Sequence, residues 1–250
     1  MIDSPALVAA PSRPAEINAS ERPPLTLEPR RMRLLAHPVA WLCGFIIACG
    51  WDRAVWLFVS ARTRPTIKGW EESGPWSSVW STLYHAVKLC GTVWVPAAIG
   101  AIVVLRSFVQ PDTARVRRAV RVGTLIFLCP AAAGLAAEGL KLVFRRRRPE
   151  FADGWYAFRF DDFWSTSGFG LPSSHAAPAV AFAVALAVVW PRHRARFGML
   201  AGLCCVSRVL AGAHYLSDAV LGVVVGLVVG RAVVWLDMRN NRFVPVSAAS

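Results

Sequence analysis

The sequence predicts an all-α protein, a bundle of six transmembrane helices with one or two interfacial helices between spans 1 and 2. Composition is the first reason: of 250 residues, 55% are hydrophobic and 17% charged, and the mean hydropathy is +0.44. A soluble domain of this length rarely reads so apolar. The second reason is six apolar runs near the length of a membrane span. The third is where the arginines fall. The net charge is +13, yet the basic residues cluster in short loops between apolar runs. That pattern fits membrane topology and anionic lipid, not a nucleic-acid face.

Residues 1–33 are rich in Pro, Ala, Ser, Glu and Arg and lack the apolar core of a signal peptide. They read as a disordered cytoplasmic tail ending in Arg30, Arg31 and Arg33. Residues 34–51 form the first span, close to the short limit for about 30 Å of hydrocarbon. Asp52 and Arg53 mark its exit. Residues 52–90 mix Trp56, Trp70, Trp76 and Trp80 with polar residues, Gly and Pro. Indole rings favour the membrane interface, so interfacial helices are expected here.

The second span starts at Gly91 and ends at Leu105 or Val109, and Arg115, Arg117, Arg118 and Arg121 make a basic loop. Residues 122–144 are the third span, kinked at Pro130. Residues 145–171 are polar and aromatic and lie outside the hydrocarbon. The fourth span is 176–190, followed by a tight turn with Arg192, Arg194 and Arg196. The fifth is 197–213 and the sixth 219–236. Residues 237–250 are a short cytoplasmic tail with Arg239 and Arg242. Residues 34–236 thus make one membrane domain. Gly222, Gly226 and Gly230 recur every four residues, a spacing that lets helices approach closely. Of six cysteines, Cys43, Cys49, Cys129, Cys204 and Cys205 lie within apolar runs and Cys90 at the edge of one. No metal-ligand spacing appears, so neither a disulfide nor a metal is expected.

Six spans put both termini on one side together with most of the arginines, which makes that side cytoplasmic. Lys141 and the run Arg145, Arg146, Arg147 and Arg148 fall on the opposite, outer face of the plasma (inner) membrane. A basic run on that face has no topological reason, and an anionic ligand is the simplest other one.

Three clusters carry chemistry. Lys141 and Arg148, with Pro149 after them, offer a point charge and a planar fork, a pair that recurs around phosphate. Alone they fit a snorkelling lipid-headgroup cluster better. Pro172, Ser173, Ser174 and His175 start the fourth span; free backbone N–H groups and a hydroxyl there make an anion site, with an acid beside it. Alone they fit a helix cap and a satisfied histidine. Ser207, Arg208, His214 and Asp218 form the third cluster. His214 and Asp218 are four apart, one face of a helix, so a carboxylate can hold one imidazole nitrogen and leave the other free to attack. Alone they fit a buried pair holding two helices together. Residues 176–206 are long enough for two spans and a turn, so the chain leaves the outer face and returns to it. All three clusters therefore meet there, and the bland readings would have to hold together.

Lys-x6-Arg-Pro, Pro-Ser-Gly-His and Ser-Arg-x5-His-x3-Asp are the motifs of the type 2 phosphatidic acid phosphatase (PAP2) superfamily, which includes bacterial acid phosphatases and vanadium haloperoxidases. This chain resembles that family over residues 34–236, with Ser174 where the family usually has Gly. The resemblance implies His214 as nucleophile, forming a phosphohistidine, with Asp218 orienting it and His175 protonating the leaving group. Lys141, Arg148, Ser173, Arg208 and the amide of Ser174 would hold the phosphoryl oxygens. It implies no metal and no other cofactor. The membrane branch implies a lipid phosphatase whose partners are the bilayer and a membrane lipid phosphate. Similar bacterial proteins act on undecaprenyl diphosphate, phosphatidylglycerophosphate or lipid A phosphates. A lipid-to-lipid phosphotransferase could use the same residues. A non-catalytic lipid-binding or transport protein would have no need of His175, His214 and Asp218. Glu138, one turn before Lys141, is a costly carboxylate within a span and is expected to face the bundle near Lys141.

Overall fold

The computed structural model describes residues 38–62, 77–89, 91–109, 112–149, 156–160 and 165–241. The expected tail 1–33, residues 242–250, Trp70, Trp76 and Cys90 lie outside the described residues. Among the described residues there are seven α-helices, in order α1 (Pro38–Arg62), α2 (Ser77–Leu89), α3 (Trp94–Ser107), α4 (Thr113–Phe144), α5 (Ala176–Val189), α6 (Arg194–Leu210) and α7 (Leu216–Asn241). A 3-10 turn at Pro191–His193 joins α5 to α6. Among the described residues there is no named β-strand, only the isolated bridges Arg146–Phe158 and Arg147–Phe169.

Among the described residues, three helices are long and apolar enough to cross a membrane, Pro38–Ala61, Thr113–Phe144 and Leu216–Asn240. The apolar helices Trp94–Ser107 and Ala176–Val189 are shorter. Each has 14 residues, and 14 residues of helix rise about 21 Å, less than the ~30 Å of hydrocarbon.

Two span boundaries move. The first span does not exit at Asp52, because α1 runs unbroken to Arg62. Asp52 is fully buried, and its carboxylate accepts hydrogen bonds from Ser217 N at 2.8 Å and Tyr156 Oη at 2.5 Å. A carboxylate with such partners has no need of water, so it does not end the helix. The expected basic loop at 115–121 is helical. Asp112 caps α4 by accepting from Ala114 N at 2.9 Å, and Arg115, Arg117, Arg118 and Arg121 occupy its first turns. Arg121 then pairs with Asp237 of α7 at 2.7 Å, with Nε and Nη2 both donating. Helix α4 continues through Pro130. At the other end of the chain, α7 reaches Asn241, so the first residues of the expected C-terminal tail are helical.

Helix α5 is the centre of the bundle. Its Ala177, Ala181 and Ala185 pack with Leu125, Cys129, Ala133 and Ala137 of α4 and Val225 of α7. Its Ala176, Ala179 and Val180 pack with Ala201, Cys204 and Cys205 of α6. Phe182 and Val189 meet Val122 and Ile126 of α4, with Val95 and Ile99 of α3 against them. Cys129, Cys204 and Cys205 are buried as expected, but Cys43 is exposed on α1; all are free thiols. Leu42, Ile46, Ile47 and Leu57 of α1 are likewise exposed, the face a helix presents to hydrocarbon.

The glycine stripe sets the α5–α7 approach. A Cβ on Gly222 would lie 2.8 Å from Ala176 Cβ, and one on Gly226 would lie 2.5 Å from the Ala177 carbonyl oxygen. The backbones touch there and cannot move apart without opening the core. Gly226→Ala should therefore lower stability by ~1–3 kcal/mol, the usual range for overpacking. Gly44→Ala, where nothing lies within 4 Å, should be neutral or slightly stabilising. Thermal unfolding of the purified variants in detergent checks both.

Candidate active site

The end of α4, the start of α5, the end of α6 and the start of α7 lie together, and the three sequence clusters meet there. Lys141 is buried in the last turn of α4. Its Nζ pairs with Glu138 Oε1 at 2.7 Å and donates to Ser174 Oγ at 2.8 Å. Glu138 thus lies beside Lys141, as its position in the sequence suggested.

Helix α4 ends where Arg145 turns left-handed (φ 55°) and its N–H bonds to Lys141 O at 2.9 Å. The next residues run extended between two neighbouring segments. Arg147 N donates to Ala157 O at 2.9 Å, Arg148 N to Gly168 O at 2.8 Å, and Gly170 N to Arg146 O at 2.8 Å. Extended backbone points successive side chains in opposite directions, so Arg145, Arg146 and Arg148 do three different things. Arg145 donates to Arg159 O at 2.7 Å and stacks on Phe169 and Phe160. Arg146 is buried and bonded to Asp218 and Ser217. Arg148 donates through Nε to Phe169 O at 3.2 Å.

Ser173 is fully buried. Its N–H donates to Asp218 O at 3.0 Å, and its Oγ accepts from Ala176 N at 3.4 Å at the start of α5. Ser174 needs no glycine-like conformation: among the described non-glycine residues only Arg145 and Tyr156 have positive φ. Its hydroxyl instead takes the Lys141 bond. In the last turn of α6, Ser207 donates to Cys204 O at 2.8 Å. Arg208 is buried, with Nη1 bonded to Tyr84 Oη of α2 at 2.5 Å.

His214 and Asp218 do not share a helix. His214 sits in the turn before α7, which Gly212 makes possible at φ 68°, and Asp218 is in the first turn of α7. His214 Nδ1 lies 3.1 Å from Gly170 O and 3.5 Å from Asp218 Oδ2. Both are acceptors, so Nδ1 carries the hydrogen and Nε2 keeps its lone pair. Gly170 O is the nearer partner.

Four buried nitrogens have no hydrogen-bond partner among the described residues: His214 Nε2, His175 Nδ1, Arg208 Nε and Arg146 Nε. Buried polar atoms are normally satisfied. The first three come from the second and third sequence clusters, so a polar ligand between those clusters would complete them. Burial holds the His214 ring below the usual imidazole range despite Asp218, leaving it neutral. Burial also pushes His175 down to about 3, and Arg208, His214, Lys88 and Arg148 reinforce that.

Residues 122–242 match the PAP2 superfamily. Over these residues the chain is similar to that superfamily. Curated relatives include a lipid A 1-phosphatase of Rhizobium johnstonii, 35% identical over 106 residues, which are 42% of this chain and 43% of that one. A lipid A 1-phosphatase of Rhizobium etli is 34% identical over 106 residues, 42% of this chain and 46% of that one. The chain therefore spans less than half the length of these relatives. Among solved structures, a transmembrane PAP2-type phosphatidylglycerolphosphate phosphatase from Bacillus subtilis has the same fold. The TM-score is 0.55 at 22% identity, covering 83% of this chain and 98% of that one.

The PAP2 match contains all the motif residues but not everything that touches them. Asp52 on α1 and Tyr84 on α2 lie before it, and sequence reading missed both. Asp52 had a signal, since an apolar run resumes beyond Arg53. Tyr84 had none. Arg146 was hidden among three other arginines, and Gly170 acts only through its carbonyl.

Proposed function

We propose that the protein is an integral-membrane lipid phosphatase that hydrolyses the terminal phosphate of a lipid or isoprenoid (di)phosphate through a phosphohistidine on His214. The observation that carries this reading is the state of His214: buried, neutral, proton held on Nδ1, and Nε2 facing no partner. Nε2 attacks phosphorus as the bond to the lipid oxygen breaks, and His175 gives that oxygen a proton. Water then attacks phosphorus with His175 as base, and orthophosphate leaves. Arg148, Arg208, Lys141, Ser173 and the amide of Ser174 hold the phosphoryl oxygens and offset the charge that develops there. Lys141 is already charge-paired with Glu138, so Arg148 and Arg208 give most of the net positive charge. The names of the relatives make a lipid A phosphate the first substrate to test. Phosphatidylglycerophosphate and undecaprenyl diphosphate present the same group.

In this reading α1, α3, α4, α5, α6 and α7 are six spans with both termini cytoplasmic. Arg115, Arg117 and Arg118 start α4, Arg192, Arg194 and Arg196 flank the α5–α6 turn, and Arg239 ends α7. The positive-inside rule makes that end cytoplasmic and puts the site on the outer, periplasmic face.

Purified protein in detergent should release orthophosphate from at least one of the three lipids in excess EDTA, because cationic side chains and amides supply the charge stabilisation. Spheroplasts should hydrolyse a membrane-impermeant phosphate ester without lysis, which reads the face. Loss of activity on chelation with recovery on Mg²⁺ would contradict the mechanism. Phosphorylated acceptor lipid without free phosphate would make the protein a phosphotransferase.

A further inference from the structure

Behind His214 lies a buried charge cluster that the catalytic motifs do not account for. Asp52, Arg146 and Asp218 have relative exposures of 0%, 3% and 0%. Arg146 reaches Asp218 Oδ1 through Nη2, which also donates to Ser217 Oγ at 2.7 Å. Its Nη1 is 3.7 Å from Asp52 Oδ2. The Ser217 hydroxyl passes the chain on by donating to Asp52, and Ser217 N donates to Asp52 Oδ1 at 2.8 Å. Tyr156 Oη closes the set on Asp52 at 2.5 Å, and the Tyr156 and Tyr215 rings cover the Arg146 guanidinium at 4.8 and 5.1 Å. Asp52 belongs to α1, outside the residues that match the PAP2 superfamily.

We propose that Asp52 is a positioning residue for the reaction: it shares Arg146 with Asp218, so that the cluster keeps one net negative charge behind His214. The proposal rests on His214 being the nucleophile. Its logic is a charge count. Arg146 and Asp218 alone sum to zero, so Arg146 would cancel the carboxylate that His214 needs. With Asp52 the sum is minus one. Attack through Nε2 turns a neutral imidazole into a cationic phosphoimidazolium whose Nδ1–H points at Gly170 O and Asp218. In a site with little water, that cation is stabilised by a net negative neighbour much more than by a neutral pair. A role confined to tying α1 to α7 would not need this charge, because apolar packing holds helices at no desolvation cost.

Asp52→Asn keeps the volume and one acceptor and removes the charge. In the purified full chain, kcat on p-nitrophenyl phosphate and on the active lipid should fall about 10–100-fold, the range for groups that orient a reacting ligand. KM and competitive inhibition by orthophosphate should not change, because Asp52 lies behind the nucleophile and away from the phosphate. Ser217→Ala, which cuts the hydroxyl link and keeps the backbone bond, should show the same split with a smaller loss and covers failure of Asp52→Asn to fold. Wild-type kcat in both variants would overturn the proposal. So would equal loss of kcat, orthophosphate affinity and thermal stability, the mark of a structural anchor. If the wild type shows no turnover dependent on His214, the phosphatase reading fails, and a second readout still decides the positioning role. In ¹⁵N-histidine spectra, with His214 assigned from His214→Ala, Asp52→Asn should shift the His214 ring signals and leave those of His193 in place. Unmoved His214 signals would overturn the proposal.

Discussion

His214→Ala should reduce phosphate release to background on every substrate, from lipid monophosphate to lipid diphosphate to p-nitrophenyl phosphate. The loss does not depend on the leaving group because the variant has no atom to take the phosphoryl group. The geometry explains why no neighbour can replace it. Nδ1 faces Gly170 O at 3.1 Å and Asp218 Oδ2 at 3.5 Å, so the ring is fixed with Nε2 forward. His175, the nearest alternative imidazole, belongs to a different helix start and is surrounded by cations that its own protonation must overcome. Phosphate assays on all three substrate types check this. Residual turnover on the activated ester alone would show a second nucleophile.

His175→Ala should instead show a loss that depends on what leaves. A lipid alkoxide is a poor leaving group, and losing its proton donor should reduce the rate by ~10²–10⁴-fold, the usual range for general-acid catalysis. Nitrophenolate is stable without a proton and should lose much less. A diphosphate lipid, whose leaving group is a phosphate ester, should fall between. Burial first, and then Arg208, His214, Lys88 and Arg148, push His175 down to about 3. A group held so far below its ordinary value gains its proton only when the surrounding charge changes. A bound phosphate dianion makes that change by offsetting the charges of Arg208, Lys88 and Arg148, so the acid is armed by its own substrate. Equal losses on all three substrates would assign His175 to phosphate positioning.

Much of this arrangement was legible in the sequence because it follows from chain length between motifs. Residues 176–206 leave room for two helices and a tight turn, which brings Ser173, Ser174 and His175 next to Arg208 and His214. The glycine repeat likewise states how closely α7 can approach α5. What the sequence hid depends on partners distant along the chain. Asp52 reads as a helix exit because an isolated carboxylate needs water; Ser217 and Tyr156, more than a hundred residues away, remove that need. The arginines at 115–121 read as a loop because charge ends apolar runs, yet Asp112 caps a helix and Arg121 finds Asp237. His214 and Asp218 have the spacing of a helix face but meet across a turn, which places Gly170 O nearer to Nδ1 than the carboxylate. The six-span count came from hydropathy alone, and α3 and α5 have less length than a hydrocarbon core.

The most direct measurement is the site of the covalent intermediate. The protein is mixed with an activated phosphate ester, quenched in alkali, where phosphohistidine survives, and digested for mass spectrometry. The account predicts one phosphorylated peptide with the group on His214, present in His175→Ala and absent from His214→Ala. Phosphate on another residue, or turnover with no phosphorylated peptide and inversion at a chiral phosphorus, would contradict it.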